Sequence, residues 1–207
     1  MILDFDYTLF DTLKLKEAIR EEFNKYGVSY ELFDQTREES KNGQRDWRPR
    51  IQFAILRSHG IKNISAIEEG FEKIVASAQN FLYQDTMPFF EKAKAGHSFF
   101  LVTYGEDEFQ NAKVDGCSIL KKYFDKIIVT QNIYKDKEAA DFAAGEPAVF
   151  IEDNPAALAA AKKLAPQITT VRMNRGMGRY INEVSGEGID FEVRELMEVK
   201  RVIPKLF

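Results

Sequence analysis

The chain opens on an apolar run, Ile2-Leu3, that turns at once into acidic residues. A buried strand reads this way when it delivers polar groups at its carboxyl end. Only three residues precede Asp4, so the first strand is expected to be short, either because it is weak or because the true start lies upstream. From about Thr12 to Tyr83 the apolar spacing changes to three and four. Leu15, Ile19, Phe23 and Tyr26 share one helical face, and Ile64, Ile67, Phe71, Ile74 and Ala78 share another. Further helices are predicted at about 29–41 and 49–59, punctuated by Gly27, Gly43 and Gly60, and Ser65 with Glu68 forms an expected capping box.

After Pro88 the pattern alternates helix and strand. A helix from Pro88 to Ala95 is closed by Gly96 and followed by the apolar run Phe99 to Val102. Strands are predicted at about 98–103, 126–130, 147–151 and 168–172, with helices at about 106–122, 137–144, 155–164 and 192–200. Strands separated by helices of this length imply right-handed crossovers and a parallel sheet covered on both faces. The expected fold class is α/β, a doubly wound parallel-sheet (Rossmann-like) core with a smaller all-helical domain. The core is assigned to 1–11 and 86–207 and the helical insert to 12–85.

Composition narrows the function classes. The 29 basic and 33 acidic residues give a net charge of −4, so no global positive field draws the chain to nucleic acid or to an anionic membrane. The single cysteine, Cys117, excludes an intrachain disulfide framework and fits a reducing compartment as a small structural side chain. His59 and His97 lack the spacing of metal ligands. Neither a long apolar run nor a basic region followed by a hydrophobic stretch is read, so the expected location is cytoplasmic.

In an open parallel sheet, ligands bind beyond the carboxyl ends of the strands. The apolar runs end in Asp4, Asp6 and Thr8, in Thr103 and Gly105, and in Glu152 and Asp153, while Lys137 lies at the start of the helix after the third run. The period of two places the Asp4 and Asp6 carboxylates on one side of an extended chain, where they repel each other. A shared proton or a cation relieves that repulsion, and the all-oxygen set with Asp153 favours Mg²⁺ over zinc. Asn154-Pro155 reads as an N-cap followed by proline at the first helical position.

The ordered series DFDYT, FFLVTYG, Lys137 and VFIEDNP resembles the four motifs of the haloacid dehalogenase superfamily of phosphatases and phosphotransferases. Lys135 is an alternative for the third motif. The helical insert looks like that family's cap domain. The resemblance implies Asp4 as nucleophile and Asp6 as general acid and base. It implies Thr103, with Tyr104, Gly105 and Lys137, as phosphate holders, and Mg²⁺ held by the Asp4 carboxylate, the Asp6 carbonyl and Asp153. Thr8 is expected to bond backbone in the turn after Asp6, and Glu152 to touch the metal or orient Asp153.

Two departures from the family pattern stand out. Tyr7 occupies a place where glycine is frequent, and Ala157 a place where a second acid is frequent. In the helical insert, Arg45, Trp47, Arg48 and Arg50, with Arg57 further on, form a basic and aromatic patch; Arg48 and Arg50 are its candidate substrate contacts. Arg172, Arg175 and Arg179 follow the last predicted strand and could reach a ligand or stay solvated. The resulting expectation is a Mg²⁺-dependent phosphomonoester hydrolase acting on a small phosphorylated metabolite, with no nucleic-acid or membrane partner. The alternatives are a non-catalytic relative that binds a partner through its cap, and a dehalogenase, which Asp6 disfavours.

Overall fold

The computed structural model describes residues 1–43, 46–93 and 96–206. Six strands, β1 (Ile2–Leu3), β2 (Phe100–Tyr104), β3 (Lys126–Thr130), β4 (Ala148–Glu152), β5 (Ile168–Met173) and β6 (Phe191–Val193), form one sheet in the order β3-β2-β1-β4-β5-β6. Every pairing is parallel, as the alternation of strands and helices requires. The expected doubly wound, Rossmann-like sheet is therefore present. β1 is only two residues long, yet it is central, pairing with β2 on one side and β4 on the other, and both its residues are fully buried.

Helices α8 (Asp136–Ala143) and α9 (Pro155–Leu164) pack on this sheet through small side chains. Ala139, Ala143, Leu158 and Ala161 join Ile2, Val102, Phe150 and Ile168 in one buried cluster. Asn154 starts α9 as its sequence implies, its side chain accepting from Ala156 N at 3.0 Å ahead of Pro155.

Contacts divide the chain into two compact units. One comprises Met1–Thr12, Phe81–Tyr104 and Ile119–Phe207 and contains the sheet; the other comprises Leu13–Asn80 and Gly105–Ser118 and is helical. The helical unit is built from most of α1 (Thr12–Asn24), α2 (Tyr30–Glu39), α3 (Pro49–Ser58), α4 (Ile64–Ala76) and α6 (Asp107–Asp115). Its core is aromatic, with ring centroids 5.1 Å apart for Phe23 and Phe33, 5.4 Å for Phe53 and Phe71, and 5.0 Å for Trp47 and Phe109. The buried Gln52 amide placed beside these rings is satisfied. Gln52 Oε1 accepts from Trp47 Nε1 at 2.7 Å, and Gln52 Nε2 donates to Phe33 O at 2.9 Å and Thr36 Oγ1 at 3.0 Å.

Three expectations are corrected. The predicted helix at 106–122 is two, α6 and α7 (Ser118–Lys121), because the chain breaks where Gly116 meets α4. A Cβ at Gly116 would lie 2.1 Å from Val75 O, and Gly116 O accepts from Gln79 N at 3.0 Å. The expected Ser65/Glu68 capping box is absent, since α4 begins at Ile64 after Asn63 and its first turn carries no side-chain cap. The predicted helix at 192–200 begins instead as β6, whose sheet pairing outweighs local helix propensity; only α10 (Val199–Val202) remains helical, after a 3-10 turn at Leu196–Glu198. The helix expected from Pro88 runs over α5 (Thr86–Ala93), and its predicted end at Ala95 lies outside the described residues. Among the described residues no helix is long and apolar enough to cross a membrane.

Asp190, just before β6, ties that edge of the sheet together. Its Oδ2 accepts from Thr170 N at 2.8 Å, Thr170 Oγ1 at 3.1 Å and Lys162 Nζ at 2.8 Å. Partial burial pushes its carboxyl up, but the hydrogen bonds from Lys162 and Thr170 outweigh that and hold it below the usual carboxylate range. Asp190→Asn is expected to cost about 1–2 kcal/mol near neutral pH. This stabilisation exists above the unfolded carboxylate pKa and disappears as pH falls through the lower folded value. Urea melts at about pH 7 and about pH 3 should therefore show the gap between wild type and variant closing at the acid end.

Candidate active site

Between β1 and β4 the strand order reverses, opening a crevice at the carboxyl ends of both strands. The pairing of Leu3 with Ile151 and the bond from Asp4 N to Ile151 O at 2.9 Å carry the register forward, so that Asp4 emerges beside Glu152. Asp4, Glu152 and Asp153 are all buried, and one carboxylate oxygen from each lies within 4.8 Å of the others. Lys135 enters this cluster from the loop after β3. Its Nζ donates to Asp4 Oδ1 and, at 2.6 Å, to Glu152 Oε2. Thr8 Oγ1 donates to Asp4 Oδ2 at 3.2 Å, and Asn154 N to Glu152 Oε1 at 3.1 Å. Thr8 thus orients the Asp4 carboxylate through its hydroxyl, whereas the sequence led us to expect a backbone partner.

Lys135 is brought here by an unusual backbone. Its φ of 52° is left-handed, a conformation that costs a non-glycine residue roughly 1–2 kcal/mol. Asn132 braces the loop that imposes it, its side chain donating to Asp136 Oδ1 at 2.8 Å and accepting from Tyr134 N at 3.1 Å. Lys137, preferred from sequence, lies two residues on within α8 and is exposed. Lys135 is therefore the lysine that reaches the carboxylates, a correction local spacing could not make because it hinges on that left-handed turn.

Three carboxylates face one ammonium, and the imbalance shows in their proton affinities. Burial, followed by the Glu152 charge, pushes the Asp4 carboxyl up to about 7 despite Lys135. Burial and then the Glu152 and Asp4 charges likewise raise Asp153 well above its ordinary value. For Lys135, burial alone would lower the pKa, but Asp4 and Glu152 outweigh it and keep the ammonium charged. A buried cluster of hard oxygen donors with surplus negative charge fits a divalent cation of the Mg²⁺ type. Glu152 supplies one of its three carboxylates. The Asp6 carboxylate lies outside this group, accepting from Thr12 Oγ1 at 2.5 Å.

Tyr7, the residue found where glycine is frequent, is also left-handed, with φ 61°. Its ring is accommodated by Gly178, where a Cβ would lie 2.9 Å from Tyr7 ring carbons. Arg175 holds the same turn, its Nη2 donating to Thr8 O at 2.8 Å while its guanidinium grips Asp85 at 2.7 and 2.9 Å. Arg172 donates to Tyr180 O at 2.9 Å and Ser185 Oγ at 2.9 Å, so both arginines serve the fold around the crevice; Arg179 is exposed. Sequence spacing gave no sign of the Arg175–Asp85 pair, whose members lie 90 positions apart.

Thr103 is fully buried at the end of β2, paired with Val129 and lying one register step beyond the position opposite Asp4. Tyr104 ends the strand. Gly105, at φ 150°, leaves room for Gln110, whose side chain a Cβ would meet at 2.8 Å. In the helical unit, Trp47 is part of the core. Arg48 Nε donates to Ser40 O at 3.0 Å, Arg50 grips Glu108 through Nε at 2.6 and 2.8 Å, and Arg57 lies 3.7 Å from Glu68. The candidate substrate contacts, Arg48 and Arg50, are thus already engaged by protein groups. Arg45 lies outside the described residues.

No protein-family model and no curated protein matches the sequence. Solved structures do match its fold. A haloacid dehalogenase-like hydrolase from Burkholderia xenovorans LB400 superposes with a TM-score of 0.72 at 18% identity, covering 99% of this chain and 96% of the other. The HAD-hydrolase YfnB from Bacillus subtilis, bound to magnesium, gives 0.64 at 17% identity over 98% and 96% of the two chains. A β-phosphoglucomutase from Thermotoga maritima gives 0.65 at 20% identity over 100% and 98%. L-2-haloacid dehalogenases share the fold as well. With its six parallel strands, its helical second unit and a carboxylate cluster at the β1/β4 crevice, the chain has the fold of the haloacid dehalogenase-like hydrolases.

Proposed function

We propose that the chain is a member of the haloacid dehalogenase superfamily and a Mg²⁺-dependent phosphomonoester hydrolase. The observation that carries this reading is the buried group of three carboxylates around one lysine, with a further carboxylate, Asp6, two residues beyond Asp4. Asp4, Glu152 and Asp153 would hold the metal. When bound, Mg²⁺ shields an anionic nucleophile from an anionic substrate.

Asp4 attacks phosphorus through a carboxylate oxygen, forming an O–P bond as the ester P–O bond breaks. The leaving oxygen takes its proton from the Asp6 carboxyl group, which Thr12 holds by a hydrogen bond. Asp6, now ionised, takes a proton from the water that attacks the aspartyl-phosphate, releasing phosphate and restoring Asp4. Lys135 keeps the Asp4 carboxylate oriented and offsets its charge, and Thr103 receives a phosphoryl oxygen. Displacement of a halide needs no proton donor for its leaving group, so Asp6 favours phosphoryl transfer over dehalogenation.

The test is to measure phosphate release from a panel of small phosphomonoesters and halide release from 2-haloacids, each with and without Mg²⁺. Metal-dependent phosphate release is expected, lowered about 10²–10⁴-fold in Asp6→Asn. Halide release without metal would overturn the reading in favour of a dehalogenase. Mg²⁺ at about a hundred times its dissociation constant should also stabilise the fold by roughly 2.7 kcal/mol. Thermal melts should lose that gain in Asp153→Asn.

A further inference from the structure

The helical unit contains a groove of ≈ 750 Å³ that takes no part in the chemistry above. Its lining comes entirely from α3, α4, α6 and the residues next to them. The floor is aromatic: Phe71 packs between Phe53 and Phe109, at 5.4 and 5.7 Å between centroids. Phe109 is the most open of the three. Gly116 and Val75 also line it and approach closely; a Cβ at Gly116 would lie 2.1 Å from Val75 O. A concave, largely apolar site of this size suits a small organic molecule rather than a long peptide.

The rim has a definite sign. Five acidic side chains line the groove against two basic ones, Arg48 and Arg50. Arg48 is turned to Ser40 O, and Arg50 is gripped through two oxygens by Glu108, which links α3 to α6. Glu68 and Glu72 also act on Arg50 by charge alone, so one guanidinium stands among three carboxylates. Of the two, Glu68 has only a loose ion pair, 3.7 Å from Arg57, and Glu72 is exposed on the same helix. Surplus carboxylates above an apolar floor favour a ligand that is cationic at one end and apolar at the other, because the rim attracts the charge and the floor buries the apolar body. A carboxylate or phosphate ligand would meet net repulsion.

We propose that this groove binds a small organic cation with an apolar body, of the arylalkylamine class. The inference is independent of the hydrolase reading, since it uses neither Asp4 nor the metal. The probe is phenethylammonium, titrated calorimetrically into the intact chain beside its neutral and anionic counterparts, 2-phenylethanol and 3-phenylpropanoate. Saturable binding of the amine is expected, about tenfold tighter than either counterpart. In the Glu68→Gln/Glu72→Gln double variant that preference is expected to fall by about tenfold, with the melting curve unchanged. Absent saturation, equal affinity for the alcohol, preference for the carboxylate, or undiminished amine binding in the double variant would each overturn the proposal.

Discussion

Asp4→Asn is expected to lower Mg²⁺-dependent phosphate release by roughly 10⁴-fold while leaving the fold at least as stable as wild type. The two halves of this expectation have one cause. Asp4 is ionised only against resistance, since burial and Glu152 push its carboxyl up to about 7. An amide at this position keeps the shape, and its oxygen can still accept from Thr8 or Lys135, but it brings no charge into a cluster that already has too much. Lys135 retains Glu152 as its ion-pair partner. An amide is also too weak a nucleophile toward phosphorus, so catalysis fails where folding does not. The check is phosphate release beside a thermal melt of the metal-free protein. Loss of activity with an unchanged or raised melting temperature fits a functional carboxylate. A variant that is active, or one that is inactive only because it has unfolded, would count against Asp4 as the nucleophile.

The same cluster shows why parts of this molecule could be read from sequence and others could not. Buried parallel strands leave near-continuous apolar runs, so β3, α9 and most of β4 and β5 were recognisable within a residue or two, and Asp4, Glu152 and Asp153 could be placed at strand ends. The Asn154-Pro155 start of α9 was legible because an N-cap is a local hydrogen bond. β6 was hidden because its alternation, Ile189-Asp190-Phe191-Glu192-Val193, is short and runs straight into a helical pattern, and pairing with β5 makes Phe191–Val193 a strand. Gly116 interrupts a helical pattern for the sake of a close approach to Val75, a neighbour 41 positions away that its own window does not contain. Trp47, grouped by sequence with neighbouring arginines as one basic and aromatic patch, is core because Gln52 and three phenylalanine rings enclose it. Each failure involves a tertiary partner overriding a local preference.

Lys135 belongs to that class, and it carries the largest expected effect on stability. Lys135→Met removes the only ammonium bonded to Asp4 and Glu152 among the described residues and leaves both carboxylates buried without their counter-charge. Breaking a buried pair from one side costs about 3–5 kcal/mol, so the variant should unfold at markedly lower denaturant. The methylene stem is kept by methionine, which confines the loss to charge. Lys137→Met, two residues away on the exposed surface, is expected to change stability by no more than about 0.5 kcal/mol. The sign of the pH dependence follows from the carboxylates. A carboxyl whose folded pKa lies above its unfolded value destabilises the fold as pH rises from the unfolded value towards the folded one, and losing Lys135 raises Asp4 further. The deficit of Lys135→Met should therefore shrink on going from about pH 8 to about pH 5, where protonation relieves the repulsion. Asp4→Asn combined with Lys135→Met separates the pair from its parts: removing one of the two stranded carboxylates should recover a substantial share of the lost stability. Equal denaturation midpoints for Lys135→Met and Lys137→Met would remove Lys135 from the centre of this site.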